Sequence, residues 1–80
     1  MDNQTLRTRL LPGLKPTACA DRSHTGCTRA LSAAQRALQA ERRRVGQGHW
    51  AASGPRCAAL RELCGAELAG AVRAARRGDL

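Results

Sequence analysis

The chain has very few large apolar side chains with which to build a core. Leu and Val together occupy 12 of its 80 positions, and it has no Ile and no Phe. Much of its 42% hydrophobic content is alanine, which buries little area per residue. Since ordering a residue costs about 1–2 kcal/mol in backbone entropy alone, we expect part of the chain to be disordered.

The charge of the chain is strongly positive and almost all of it is arginine. Fourteen Lys and Arg residues against six Asp and Glu give a formal net charge of +8, and Lys15 is the only lysine. The planar guanidinium group suits phosphate and carboxylate partners, so the charge indicates RNA or an acidic protein. Arg, Ala and Gly also share GC-rich codons, and a further alternative is a GC-rich reading frame without a selected biochemical role.

The order of residues divides the chain into four parts. Residues 1–24 contain Pro12, Gly13 and Pro16 and are predicted to be a disordered basic tail. Residues 25–45 are rich in helix formers and predict an Arg-rich helix that Thr25 caps and Gly46 ends. Residues 46–54 form a Gly-rich linker, and residues 55–78 predict a second helix ending at Gly78.

Both predicted helices carry a thin apolar stripe. In the first helix the stripe passes over Glu41 before it reaches Val45, and its members are Cys27, Leu31, Ala34, Leu38 and Val45. The second stripe, widened by Leu63 and Val72, consists of Cys57, Leu60, Cys64, Leu68, Ala71 and Ala75. The stripes predict a mainly α fold, an antiparallel two-helix hairpin with Leu31 near residues 68–70 and Leu38 near residues 62–63. We expect this hairpin to be marginal and to gain burial from a partner or from self-association through the stripes.

The four cysteines do not predict disulfides or a metal centre. Cys57 and Cys64 are seven residues apart, about 10 Å along a helix, which is too far for a bridge, and the predicted register brings no cysteine opposite another. Cys19, His24 and Cys27 lie within nine residues, but their spacing is not typical of a zinc motif. We expect Cys27 to be a small apolar residue of its stripe, and we expect no metal and no cofactor.

The sequence favours binding over catalysis. It contains no Ser-His-Asp set on a scaffold able to hold it, no glycine-rich phosphate loop after a strand and no rigidly paired carboxylates. We therefore expect no enzymatic activity and no small-molecule substrate. The absence of a long apolar run predicts no membrane span and an intracellular protein, nuclear or cytoplasmic, while the arginines and hydroxyls of residues 3–20 keep a mitochondrial location open.

Two sets of residues are candidates for partner binding. The first hypothesis is a small protein-interaction or regulatory module that docks through Leu31, Leu38, Leu60 and Leu68. In this hypothesis an acidic rim of the partner contacts Arg36, Arg42, Arg43 and Arg44. The alternative is non-specific RNA binding or nucleolar association, in which the same arginines of the 25–45 helix contact phosphates.

Overall fold

The computed structural model describes residues 3–46 and 54–78, and most of these residues are helical. The helices are α1 (Asn3–Leu10), α2 (Pro16–Ala20), α3 (His24–Gly46) and α4 (Gly54–Arg77). The mainly α prediction is confirmed, and both long helices begin and end within a residue of the predicted bounds. Within the predicted linker, residues 47–53 lie outside the described residues, and Gly46 and Gly54 are the end residues of α3 and α4.

Helices α3 and α4 pack as an antiparallel pair. Near one end of the pair, Cys27 Sγ lies 3.1 Å from the point that a Cβ on Gly70 would occupy. Near the other end, Arg56 Nε lies 3.4 Å from Glu41 Oε2. The predicted register placed Leu31, one turn after Cys27, beside residues 68–70. The observed register therefore differs from the predicted register by about one helical turn. The contacts of Cys27 with Gly70 and of Glu41 with Arg56 fix the observed alignment, whereas the prediction took the alignment from the length of the linker.

Helix α3 begins at a serine cap. The Ser23 hydroxyl accepts a hydrogen bond from the Gly26 N–H at 3.1 Å, and the Ser23 carbonyl accepts from the Cys27 N–H at 2.9 Å. Ser23 also donates to Asp21 Oδ1 from its N–H at 2.9 Å and from its hydroxyl at 2.7 Å. The predicted cap at Thr25 is thus displaced by two residues to Ser23, since Asp21 fixes the serine in the capping conformation.

The N-terminal segment differs most from the sequence-based expectation. Residues 3–10 and 16–20, which were predicted to belong to a disordered tail, form α1 and α2. Leu10 and Leu11 are buried in the core, and Leu6 and Leu14 pack against it half-buried. Pro16 is the first residue of α2, where its missing N–H costs nothing. The prolines here separate two short helices, and the leucines around them supply apolar area that the two long helices lack.

The buried faces of the long helices are rotated from the predicted stripes. On α3 the structure buries Ala30 and Glu41 in addition to Cys27, Ala34 and Leu38, and it leaves Val45 exposed. On α4 the buried residues are Cys57, Leu60, Leu63, Glu67, Ala71 and Ala74. Leu68 and Val72 are exposed. The rotation follows from Glu41 and Glu67, which the stripes omitted because they are charged and which the fold buries with arginine partners.

Candidate functional site

An ion pair between α1 and α4 is the most deeply buried charged contact among residues 3–46 and 54–78. Arg7 Nε donates to Glu67 Oε2 at 2.6 Å, and the two side chains are 2% and 0% exposed. Asn3 Nδ2 donates to the other carboxylate oxygen, Oε1, at 2.8 Å. Both oxygens of Glu67 therefore have donors from α1, as a buried carboxylate requires.

The rest of the Arg7 guanidinium joins α1 to α2 and α3. Its Nη1 lies 3.1, 3.2 and 2.6 Å from the carbonyl oxygens of Ala18, Cys19 and Asp21. These carbonyls end α2, where a positive charge is favourable. Nη2 donates to Cys27 Sγ on α3 at 3.7 Å. Arg7 thus contacts groups of the other three helices and holds α1 against them.

The pKa of Arg7 is raised in this environment. Burial by itself lowers the pKa of a guanidinium, because it penalises the charged form. The hydrogen bond to Glu67 and the charge of that carboxylate outweigh the burial. Arg7 is therefore a permanent charge with a structural role, not a proton donor at physiological pH.

A second buried carboxylate lies at the other end of the helix pair. Glu41 is 2% exposed in its side chain, and its Oε2 is 3.4 Å from Arg56 Nε on α4 and 3.3 Å from Arg44 Nη1 on α3. The Arg44 side chain is 53% exposed, so its pairing with Glu41 is partly screened by solvent. Each of the two buried carboxylates is thus held by an arginine from another helix.

The predicted anion-binding arginines are all exposed, but one of them is paired with a buried carboxylate. Arg36, Arg42 and Arg43 are exposed on α3, whereas Arg44 is exposed and paired with Glu41. Residues seven apart on a helix lie on nearly the same face. Arg36 and Arg43 therefore share one face with Arg29, and we name these three residues the α3 arginine face. Arg36 lies beside the turn after α1, where it lines a shallow groove with Gly13 and Leu14.

The predicted partner-binding leucines are divided between the core and the surface. Leu38 is 8% and Leu60 0% exposed, and both pack in the core with Leu10 and Leu11. Leu31 is half-buried, and Leu68 is 55% exposed. The structure therefore does not bring the four leucines together on one accessible face, because two of them already pack within the chain.

The cysteines are free thiols. Cys19, Cys27 and Cys57 are buried and Cys64 is partly buried. Burial raises the pKa of the Cys64 thiol. In residues 3–46 and 54–78 no group of three or more His, Cys, Asp or Glu side chains is placed to hold a metal ion.

The arginine and glutamate pairs were missed in the sequence because both kinds of residue were assigned to solvent. A signal was present, since Glu67 lies four residues after Leu63 and Glu41 lies three after Leu38, on the apolar faces. Arg7 likewise lies between Leu6 and Leu10. A charged residue on an apolar stripe indicates a buried partner of opposite sign.

Comparison with protein-family models, curated proteins and solved structures found no match to this chain. Among the helices formed by residues 3–46 and 54–78, none is long and apolar enough to cross a bilayer.

Proposed function

We propose that the protein binds RNA without sequence specificity, through the exposed arginines of α3. The observation that carries this proposal is the segregation of charge between interior and surface. Glu41 and Glu67 are buried, Asp21 is half-buried and accepts hydrogen bonds from Ser23, and the other carboxylate in residues 3–46 and 54–78, Glu62, is exposed. The exposed cationic residues in the same ranges are Arg9, Lys15, Arg22, Arg29, Arg36, Arg42, Arg43, Arg44, Arg61, Arg73, Arg76 and Arg77.

The arrangement of these cations favours an extended polyanion. The molecule is 44 Å long, and the α3 arginine face presents a guanidinium about every 10 Å along its helix. Arg42 adds a further exposed charge near the end of α3. A nucleic acid strand carries charge continuously over such a length, whereas an acidic protein presents carboxylates in patches. Neutralising several phosphates at once supplies affinity by releasing their counterions.

The chemistry of this surface favours phosphate contacts over base recognition. In residues 3–46 and 54–78 there is no Phe, Tyr or Trp side chain on which a base can stack. Guanidinium groups on a helix contact phosphates of any sequence. We therefore expect weak discrimination among RNA sequences and a strong dependence of affinity on salt.

The experiment is a titration of fluorescently labelled RNA at several salt concentrations, followed by anisotropy. In the variant Arg36→Gln with Arg43→Gln we expect weaker binding and a flatter plot of log affinity against log salt. The slope should fall by about 0.7 for each single-strand phosphate that the variant no longer neutralises. Arg44 stays unchanged in this design, because it also pairs with Glu41.

The matched control is Lys15→Gln with Arg76→Gln, which removes the same charge from exposed residues outside α3. We expect the control to retain a steeper salt dependence than the α3 variant. Equal losses in both variants would mean that net charge alone attracts RNA. Absence of RNA binding by the unmodified protein at low salt would overturn the proposal.

A second candidate function is docking on an acidic protein, and exposed apolar residues of α4 favour it. Leu68 is 55% and Val72 42% exposed. Arg61 and Arg76 are spaced to lie on the same helix face, one on each side of these residues. A partner for this face would combine an apolar contact with an acidic rim. A photo-crosslinker at position 68 should then yield one protein adduct that a crosslinker at exposed Gln39 does not.

A further inference from the structure

A cleft lies where the start of α3 meets the end of α4. Its volume is about 350 Å³, and its walls include Asn3, Arg7, Arg22, Gly70, Arg73 and Arg77. This volume is at the lower end of the range for small-molecule sites. The antiparallel pairing creates the cleft, since it places Arg22 at the beginning of one long helix beside Arg73 and Arg77 at the end of the other.

Gly70 leaves the space at the base of this cleft open. A Cβ at this position would lie 3.1 Å from Cys27 Sγ and 3.9 Å from Arg73 Nη2. Any side chain there would therefore press on the buried thiol or occupy the space beside the Arg73 guanidinium. In contrast, a Cβ on Gly65 of the same helix meets no atom within 4 Å.

The lining of the cleft is positive and contains no carboxylate. Four arginines line it, and the carboxylate of Glu67, which pairs with one of them, has both oxygens engaged by Arg7 and Asn3. Arg7 is fixed in the wall by Glu67 and by backbone carbonyls at the end of α2. Arg22, Arg73 and Arg77 are exposed and line the open side of the cleft.

We propose that this cleft binds the phosphoryl group of a phosphate monoester. Arg22 approaches from the α3 side and Arg73 and Arg77 from the α4 side, while Arg7, whose charge is balanced by Glu67, forms the fixed wall behind them. A doubly charged phosphate matches a site with several guanidinium forks better than a singly charged carboxylate does. The cleft shares no residue with the α3 arginine face, so this proposal goes beyond RNA binding and does not depend on it.

The experiment is isothermal titration of the full chain with inorganic phosphate, AMP and adenosine. We expect phosphate and AMP to bind and adenosine not to bind. Arg73→Gln with Arg77→Gln should weaken AMP binding about tenfold or more, because it removes charge-assisted hydrogen bonds. The matched control, Arg42→Gln with Arg43→Gln, removes the same charge at the other end of the helix pair and should leave AMP affinity within about twofold.

A second variant separates binding from folding. Arg22→Gln lies before the first residue of α3, so it leaves the helix pair intact while removing one wall of the cleft. It should weaken AMP binding with an unchanged circular dichroism spectrum. Equal weakening by the Arg42 and Arg43 control, equal binding of adenosine and AMP, or no binding of phosphate would each overturn the proposal.

Two RNA probes then identify the source of the phosphate. If the ligand is a nucleic acid end, a short RNA with a 5′-phosphate should bind more tightly than the same RNA with a 5′-hydroxyl, and the Arg73 and Arg77 variant should abolish the difference. If the ligand is a free nucleotide, the two RNAs should bind alike while AMP binding is retained. The variant Arg36→Gln with Arg43→Gln tests the α3 arginine face separately. It should bind both RNAs more weakly but should keep the difference between the 5′-phosphate and 5′-hydroxyl forms.

Discussion

Arg7 and Glu67 are 60 residues apart in the sequence and form a buried ion pair at 2.6 Å. The pair joins the first helix to the last, and Arg7 also closes the carbonyl end of α2. The N-terminal segment, which contains two prolines, is thereby held against the helix pair by this ion pair as well as by the buried Leu10 and Leu11. Stability of the whole chain then depends on keeping both partners together.

Removing one partner of this pair should be costly. We expect Arg7→Met to lower the free energy of unfolding by about 3–5 kcal/mol, because Glu67 would remain buried without its counter-charge. Arg7→Met with Glu67→Met should recover a substantial part of that loss. Urea unfolding followed by circular dichroism measures both. A double variant no more stable than the single one would contradict the assignment.

Two glycines on the long helices should respond oppositely to alanine. A Cβ on Gly26 would lie 2.5 Å from the Asp21 carbonyl oxygen, so Gly26→Ala should destabilise the protein by about 1–3 kcal/mol. Gly65 has open space around it, and Gly65→Ala should stabilise α4 by about 0.5–1 kcal/mol. Thermal unfolding of the two variants makes the comparison, and a shift in the same direction for both would refute it.

Two leucines of α4 should differ in how much stability is lost when each is truncated to alanine. Leu60 is fully buried in the core, and Leu60→Ala should cost about 2–5 kcal/mol by leaving a cavity. Leu68 is exposed, and Leu68→Ala should change stability by about 0.5 kcal/mol or less. Denaturant midpoints measured side by side are the readout. A large loss with Leu68→Ala would place that residue in a packed interface.

The cap of α3 should be sensitive to acid. Hydrogen bonds from the Ser23 hydroxyl and N–H lower the pKa of Asp21. A carboxyl with a lowered folded-state pKa stabilises the fold fully above its unfolded value of about 3.9, and this contribution is lost as the pH falls through the folded pKa. Asp21→Asn should therefore melt below the unmodified protein at pH 7, and the difference should shrink as the pH falls below about 3.9. The exposed residue Glu62, changed to Gln, is the control and should show a smaller difference at pH 7.

The thiols should react in two groups. Cys64 is partly exposed while Cys19, Cys27 and Cys57 are buried. We expect a disulfide reagent to modify one thiol in the folded protein and the remaining three in urea. The first reaction should be slower than that of a free cysteine, because burial raises the Cys64 pKa. Cys64→Ser should remove it, and rapid modification of all four thiols would argue against the packed helix pair.

Local signals account for the parts of the fold that were predicted. Pro55 and Gly78 mark the ends of the second long helix, and helix-forming residues run without interruption through residues 28–45. These signals act within a few residues, and they identified both long helices to within one residue of their bounds. Arg36, Arg42 and Arg43, which the sequence offered as anion-binding residues, are exposed on α3, and their binding role stays a prediction.

Contacts between distant residues account for the parts that were not predicted. The pairing of Arg7 with Glu67 and of Glu41 with Arg56 depends on helices that meet only in the folded chain. Because Glu41 and Glu67 are buried, the buried faces of α3 and α4 are rotated away from the apolar stripes predicted from the sequence, and Leu68 is exposed. The cleft at Gly70 depends on a register one turn from the predicted one. The sequence marks Glu41 and Glu67 as charged residues on apolar faces, but it does not identify the arginine that pairs with each of them.

The three carbonyls at the end of α2 that Arg7 contacts also determine how far the chain can be shortened. A shortened chain that begins at residue 24 would keep both long helices but would lack every donor that the structure gives to the Glu67 carboxylate. We therefore expect a chain that begins at residue 24 to be less stable than the full chain, because it also lacks the packing of Leu10 and Leu11 on the core.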